Sequence, residues 1–98
     1  TLLSFFLISC GKKTECKGTV YSQNGLHTPS VDIFLLDFFS NHPEIKTKVS
    51  STNSEGYYQF SFRSKRNHWY VVTCENDMNG GKTLKNGETN EVNIYLNK

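Results

Sequence analysis

Thr52-Asn53-Ser54-Glu55-Gly56-Tyr57-Tyr58-Gln59-Phe60 is the stretch on which the fold of this chain turns. Its first half reverses the backbone: Asn53-Ser54-Glu55-Gly56 is a turn signal, and Gly56 suits the left-handed conformation that such a turn between two strands requires. Its second half alternates, and the alternation runs on to Arg63, so Tyr58, Phe60 and Phe62 share one side. Period-two spacing of large apolar side chains predicts a half-buried strand with that side inward.

The pattern extends in both directions from this turn. Upstream, residues 46–52 (KTKVSST) are polar and β-branched, as suits an edge strand. Residues 31–39 (VDIFLLDFF) form the most apolar run after the first ten residues, entered at Pro29 and closed by Asn41-His42-Pro43. Residues 15–22 alternate with Cys16, Gly18 and Val20 on one face, then meet the turn signal Ser22-Gln23-Asn24-Gly25. Downstream, Lys65-Arg66-Asn67 makes a charged bend, 69–75 reads as a strand, 76–81 as a glycine-rich loop, 82–84 as a short strand, and 91–96 as the last, with Val92, Ile94 and Leu96 inward. No helical period survives. The expectation is an all-β fold, a seven-strand antiparallel β-sandwich. Its predicted core is Val20, Val31, Ile33, Leu35, Tyr58, Phe60, Phe62, Tyr70, Val72, Val92, Ile94 and Leu96.

Composition bounds the function. The chain has 98 residues, room for one core, so any site is expected on the surface. Its net charge is +2 and its eleven basic residues run from Lys12 to Lys98 with no dominant cluster along the sequence, which argues against a nucleic-acid partner.

Residues 1–9 (TLLSFFLIS) are a different kind of sequence, apolar and uncharged. The run is too short to span a bilayer, which takes about 20 apolar residues, and matches the core of a secretory signal. Neither an initiator Met nor a basic leading segment is present, so the true start is expected upstream. The run ends Leu7-Ile8-Ser9-Cys10-Gly11, which resembles the bacterial lipobox. That resemblance implies transfer of a diacylglyceryl group to the Cys10 thiol, cleavage just before Cys10 and acylation of the new amino terminus, palmitate included, with Gly11-Lys12-Lys13-Thr14 as a polar tether. Gly11 is not the Asp that retains enteric lipoproteins in the inner membrane, so the resemblance points to the outer membrane of a bacterial cell envelope. The expected organisation is a signal segment over 1–9, a lipidated Cys and tether over 10–14, and a β-sandwich over 15–98.

Four stretches carry a second resemblance: Lys17-Gly18-Thr19-Val20-Tyr21, Pro29-Ser30-Val31-Asp32-Ile33, the Thr52 to Phe60 stretch, and Tyr70-Val71-Val72. Together they are similar to the carboxypeptidase-regulatory-like, transthyretin-like (prealbumin-like) domain, with T-x-x-x-G-x-Y-x-F as its best mark. The family's frequent Gly-Tyr or Gly-Phe after the next-to-last long strand is missing from 75–81. The resemblance implies a module that spaces, supports or binds and does not catalyse.

Candidate chemistry is sparse. His27, His42 and His68 sit at three separate positions with no metal-ligand spacing and read as surface residues, so no metal or cofactor is expected. Cys16 and Cys74 take inward parity, where two readings stay open: a disulfide permitted by export, or adjacent core thiols. Asp77, Asn79, Gly81, Thr83, Lys85 and Glu88 mimic a calcium-loop spacing, but Lys82 stands where the sharp turn needs Gly. Lys17, Asn93 and Glu75 imitate the order of an isopeptide triad, yet all three point outward. Tyr21, Phe34, Phe38, Tyr57, Trp69 and Tyr95 also take outward parity. The function expected is therefore a non-enzymatic envelope lipoprotein, a structural or interaction module with an envelope protein or glycan as partner. The alternative is carbohydrate or peptide capture on an exposed aromatic sheet face centred on Tyr57, Trp69 and Tyr95.

Overall fold

Alternation in the sequence becomes alternation in burial along β1 (Lys12–Tyr21), where Thr14, Cys16, Gly18 and Val20 are buried and the residues between them are not. The structure, a computed structural model, describes residues 11–97; Cys10 and the apolar run before it lie outside the described residues. The other strands are β2 (Asp32–Phe39), β3 (Ile45–Ser51), β4 (Tyr57–Ser64), β5 (His68–Cys74), β6 (Lys82–Thr83), β7 (Thr89–Glu91) and β8 (Ile94–Tyr95). They form two sheets packed as a sandwich. In one the order is β4-β1-β7, with β8 continuing beside β1; in the other it is β3-β2-β5-β6. The polar strand expected at an edge, β3, is one.

Three expectations are corrected. The first sheet is mixed, because β7 and β8 run parallel to β1 while β4 runs antiparallel to it. The last strand is two, since the ladder breaks at Val92 and Asn93: the Asn93 side-chain oxygen accepts the Thr19 N–H at 3.0 Å in place of a backbone carbonyl. And residues 12–14 are no tether. Lys12, Lys13 and Thr14 open β1, paired with Ser64, Arg63 and Phe62. Thr14 is fully buried, its hydroxyl 3.0 Å from Ser64 Oγ and accepting the Gly87 N–H at 2.8 Å.

The core lies between the sheets and contains ten of the twelve residues expected there; Val31 and Phe62 are only partly buried. Val31 stands just before β2, and Phe62 lies near the end of β4, where its ring meets Tyr70 edge-on at 4.7 Å across the two sheets. Cys16, Cys74 and Leu84 complete the cluster. Around Thr52 the turn motif acts as a clasp: the Thr52 hydroxyl donates to the Thr28 carbonyl and accepts the Val31 N–H, both at 2.8 Å. Asn53 Oδ1 accepts from Glu55 and Tyr57, and Gly56 sits at φ 76° with its carbonyl accepting the Val20 N–H. This clasp fixes the start of β2, the turn into β4 and the end of β1 relative to one another.

Candidate functional site

The aromatic platform is not assembled. Trp69, the second residue of β5, lies on the outer face of the second sheet, whereas Tyr57 and Tyr95 lie on the outer face of the first. Tyr57 pairs with Thr19 and Tyr95 with Tyr21, so both sit at the end of the sandwich opposite to the β4–β5 bend, beside which Trp69 pairs with Phe38. What forms instead is two separate pairs: Tyr21 stacked on Tyr95 at 5.2 Å, and Phe38 stacked on Trp69 at 6.0 Å. Outward parity is a property of one strand, and it says nothing of which sheet that strand joins.

The two inward cysteines are free thiols, so the disulfide is corrected to the other reading, core thiols. Cys16 Sγ lies 3.7 Å from the Tyr58 hydroxyl, which donates to the Val92 carbonyl at 2.6 Å. Burial pushes the Cys16 thiol up to about 11, with the Tyr58 hydrogen bond opposing, and pushes Cys74 up to about 11 with Asp77 and Glu75 adding to it. The Tyr58 hydroxyl is also held protonated, chiefly by burial and then by Cys16 beside it. Such thiols are packing, since the nucleophile is the thiolate.

One pairing went unseen in the sequence. His68, read as a surface residue, is half-buried, its Nδ1 2.7 Å from Asp37 Oδ1 and its ring stacked on Phe39 at 4.4 Å. The residues are 31 apart in sequence and meet only because β2 and β5 pair, so spacing carried no signal. Asp37 orients the imidazole, but among the described residues no hydroxyl or thiol hydrogen-bonds the ring to serve as nucleophile. His27 and His42 pack against Tyr21 and Phe39. The calcium-like spacing is interrupted by β6, and Asp77 spends its carboxylate on the Asn79 N–H and the Thr73 hydroxyl. Among the described residues no group of three or more acidic, His or Cys side chains gathers as a metal set. A shallow cleft of about 410 Å³ lies beside β6 where Asp77, Asn79, Lys82, Glu91 and Asn93 meet; it brings one cation and two carboxylates to one rim.

The remaining feature is the point where the chain enters the sandwich. Gly11, directly after Cys10 in sequence, packs against the backbone of Ser64 at the end of β4, and its carbonyl accepts from Arg63 Nη1 at 3.3 Å. Nothing but this one glycine separates Cys10 from β1.

No family model and no curated protein matches the chain. Among solved structures it is similar to a DUF3823 family protein from Parabacteroides merdae, at 15% identity and a TM-score of 0.52, over 88% of this chain and 46% of that one. At that identity the likeness shows the β-sandwich fold alone, and the chain spans less than half the length of that protein. Chlorocatechol 1,2-dioxygenase from Pseudomonas putida aligns at 12% identity and a TM-score of 0.44, over 87% of this chain and 60% of that one. The major plantain pollen allergen aligns at 8% and 0.39, over 88% and 95%. Both superpose too loosely to bear on chemistry.

Proposed function

We propose that this chain is a cell-envelope lipoprotein, anchored through an acylated Cys10, whose carboxypeptidase-regulatory-like, transthyretin-like sandwich is a non-catalytic structural or interaction module. The observation that carries the reading is the order of parts: an apolar run over 1–9, a cysteine, one glycine, then a β-strand. Two or three acyl chains on one residue hold firmly where a single chain is marginal, each buried methylene contributing about 0.8 kcal/mol. With a single residue between anchor and β1, the domain stands against the bilayer instead of swinging on a leash. Buried thiols held protonated, an imidazole with no hydroxyl or thiol bonded to it among the described residues, and a cleft whose Asp77 is already hydrogen-bonded all favour presentation of surface over chemistry. The outer membrane is the proposed location and an envelope protein or glycan the proposed partner.

The test is the mass of the amino-terminal peptide from the membrane fraction of cells making the protein. A Cys10 carrying diacylglyceryl, with residues 1–9 removed and the modification abolished by Cys10→Ser, is the expected result. Recovery of Cys10 as a free thiol within an uncut chain overturns the anchor.

A further inference from the structure

Six of the eleven basic residues meet at the end of the sandwich where the chain enters it. Lys12 and Lys13 open β1 and pair with Ser64 and Arg63 at the end of β4. Lys65 and Arg66 make the bend that follows, with the Lys65 carbonyl accepting the His68 N–H at the start of β5. The turn bearing Lys85 closes over the same end: Gly87 lies against the Lys12 side chain, and Asn86 Nδ2 donates to the His68 carbonyl at 3.0 Å. All six side chains are exposed. The ion pairs among the described residues are Lys48–Asp32 and His68–Asp37, so no described carboxylate lies within 4.0 Å of any of the six. Glu15, Glu44 and Glu88, fewer than its six cations, share this end of the molecule; Asp37 is tied to His68, and Glu91 lies further along, paired with Lys17. Asp32, Glu55, Glu75 and Asp77 lie toward the opposite end, at the start of β2, in the turn before β4 and after β5. A net charge of only +2 thus conceals a molecule polarised along its strands.

We infer that this basic end is a docking surface for the anionic headgroups of a lipid bilayer. The inference rests on the proposed anchor for its occupant: Cys10 precedes Gly11, and Gly11 sits among these cations, bonded to Arg63, so an acyl chain on Cys10 brings this end and no other to the bilayer. Each Lys or Arg near an anionic bilayer surface strengthens binding by roughly fivefold, screened within a Debye length of about 10 Å at 0.1 M salt. Trp69 adjoins this end, stacked on Phe38 and 51% exposed, the residue type that settles at the headgroup level of a bilayer. The lipid-docked pose leaves the acidic end, the Tyr21–Tyr95 pair and the cleft beside β6 facing away from the membrane.

The unacylated full chain, Cys10→Ser, separates this surface from the anchor. It is mixed with vesicles of phosphatidylcholine and phosphatidylglycerol in equal parts, and with phosphatidylcholine alone. Binding is followed by sedimentation and by the emission of Trp69, the single tryptophan. Any insertion of residues 1–9 acts on both vesicles, so the ratio isolates charge. The expected result is binding at least tenfold tighter to the anionic vesicles, lost in high salt, with a blue shift of the Trp69 emission. Lys12→Gln, Lys13→Gln, Lys65→Gln and Arg66→Gln together remove the preference at unchanged melting temperature. Lys46→Gln, Lys48→Gln and Lys82→Gln together keep it. Equal binding to both vesicles, or equal loss in the two variants, overturns the inference, and tighter binding to heparin than to the anionic vesicles overturns the choice of lipid. Because acylation of Cys10 is scored separately by mass, an empty result here leaves the anchor standing, and an unmodified Cys10 leaves this result standing.

Discussion

A methyl group on Gly18 would occupy the place of the Val92 carbonyl oxygen, which the chain folds directly over β1. That carbonyl also receives the Tyr58 hydroxyl at 2.6 Å, so one glycine lets a backbone group and a buried phenol meet above it. Neither neighbour is the free end of a flexible side chain, and relief requires the break between β7 and β8 to move. Gly18→Ala is expected to destabilise by more than about 2 kcal/mol, the upper range for overpacking, measured by urea titration; a loss below about 0.5 kcal/mol contradicts the contact. Phe60, buried opposite Cys16 between Tyr58 and Phe62, belongs to the other class of residue effect. Phe60→Ala leaves a cavity and is expected to cost about 3 to 5 kcal/mol in the same titration. Both positions were visible as inward residues of alternating strands. The reason for glycine at position 18 was not, because its neighbour is 74 residues away in sequence.

At the scale of elements, the clasp built by Thr52 explains why the turn motif reads so clearly. Its hydroxyl serves as donor and acceptor to two backbone groups, and Asn53 Oδ1 receives two N–H groups within the turn. Thr52→Val keeps shape and β-propensity while leaving the Val31 N–H and the Thr28 carbonyl without partners. A loss of about 1 to 3 kcal/mol is expected, with earlier hydrogen exchange at Val31 than at the centre of β2; unchanged exchange there contradicts the clasp. Strands β1 to β5 were legible within a few residues because period two and turn chemistry are local. The last strand was misread as one antiparallel element. Val92, Ile94 and Leu96 keep a common inward parity through the break, so the sequence pattern carries no trace of it. The direction in which β7 and β8 meet β1 depends on where the chain crosses between sheets.

For the molecule as a whole, the free thiols set a pH dependence. Both have folded values near 11, raised by burial from 9.0, so folded and unfolded chains bind the same thiol protons below pH 9. Between pH 9 and 11 the unfolded chain gives up those protons while the folded one keeps them, and stability falls as pH rises. Urea midpoints are expected to drop from pH 8 to pH 10.5, and the drop to shrink in Cys16→Ala with Cys74→Ala; an equal drop in that variant contradicts the assignment. The sequence by itself determined an all-β sandwich, its edge strand, most of its core, and the apolar run and Cys10 ahead of it, because each is written in neighbouring residues. Tertiary structure alone decided which sheet each outward aromatic joined, and so parted Trp69 from Tyr57 and Tyr95. It also joined His68 to Asp37, left Cys16 and Cys74 unbonded, and drew six scattered cations to the entrance of the chain. Strand parity assigns a side of a strand, whereas partners and ends of a sandwich are assigned only when strands distant in sequence pair.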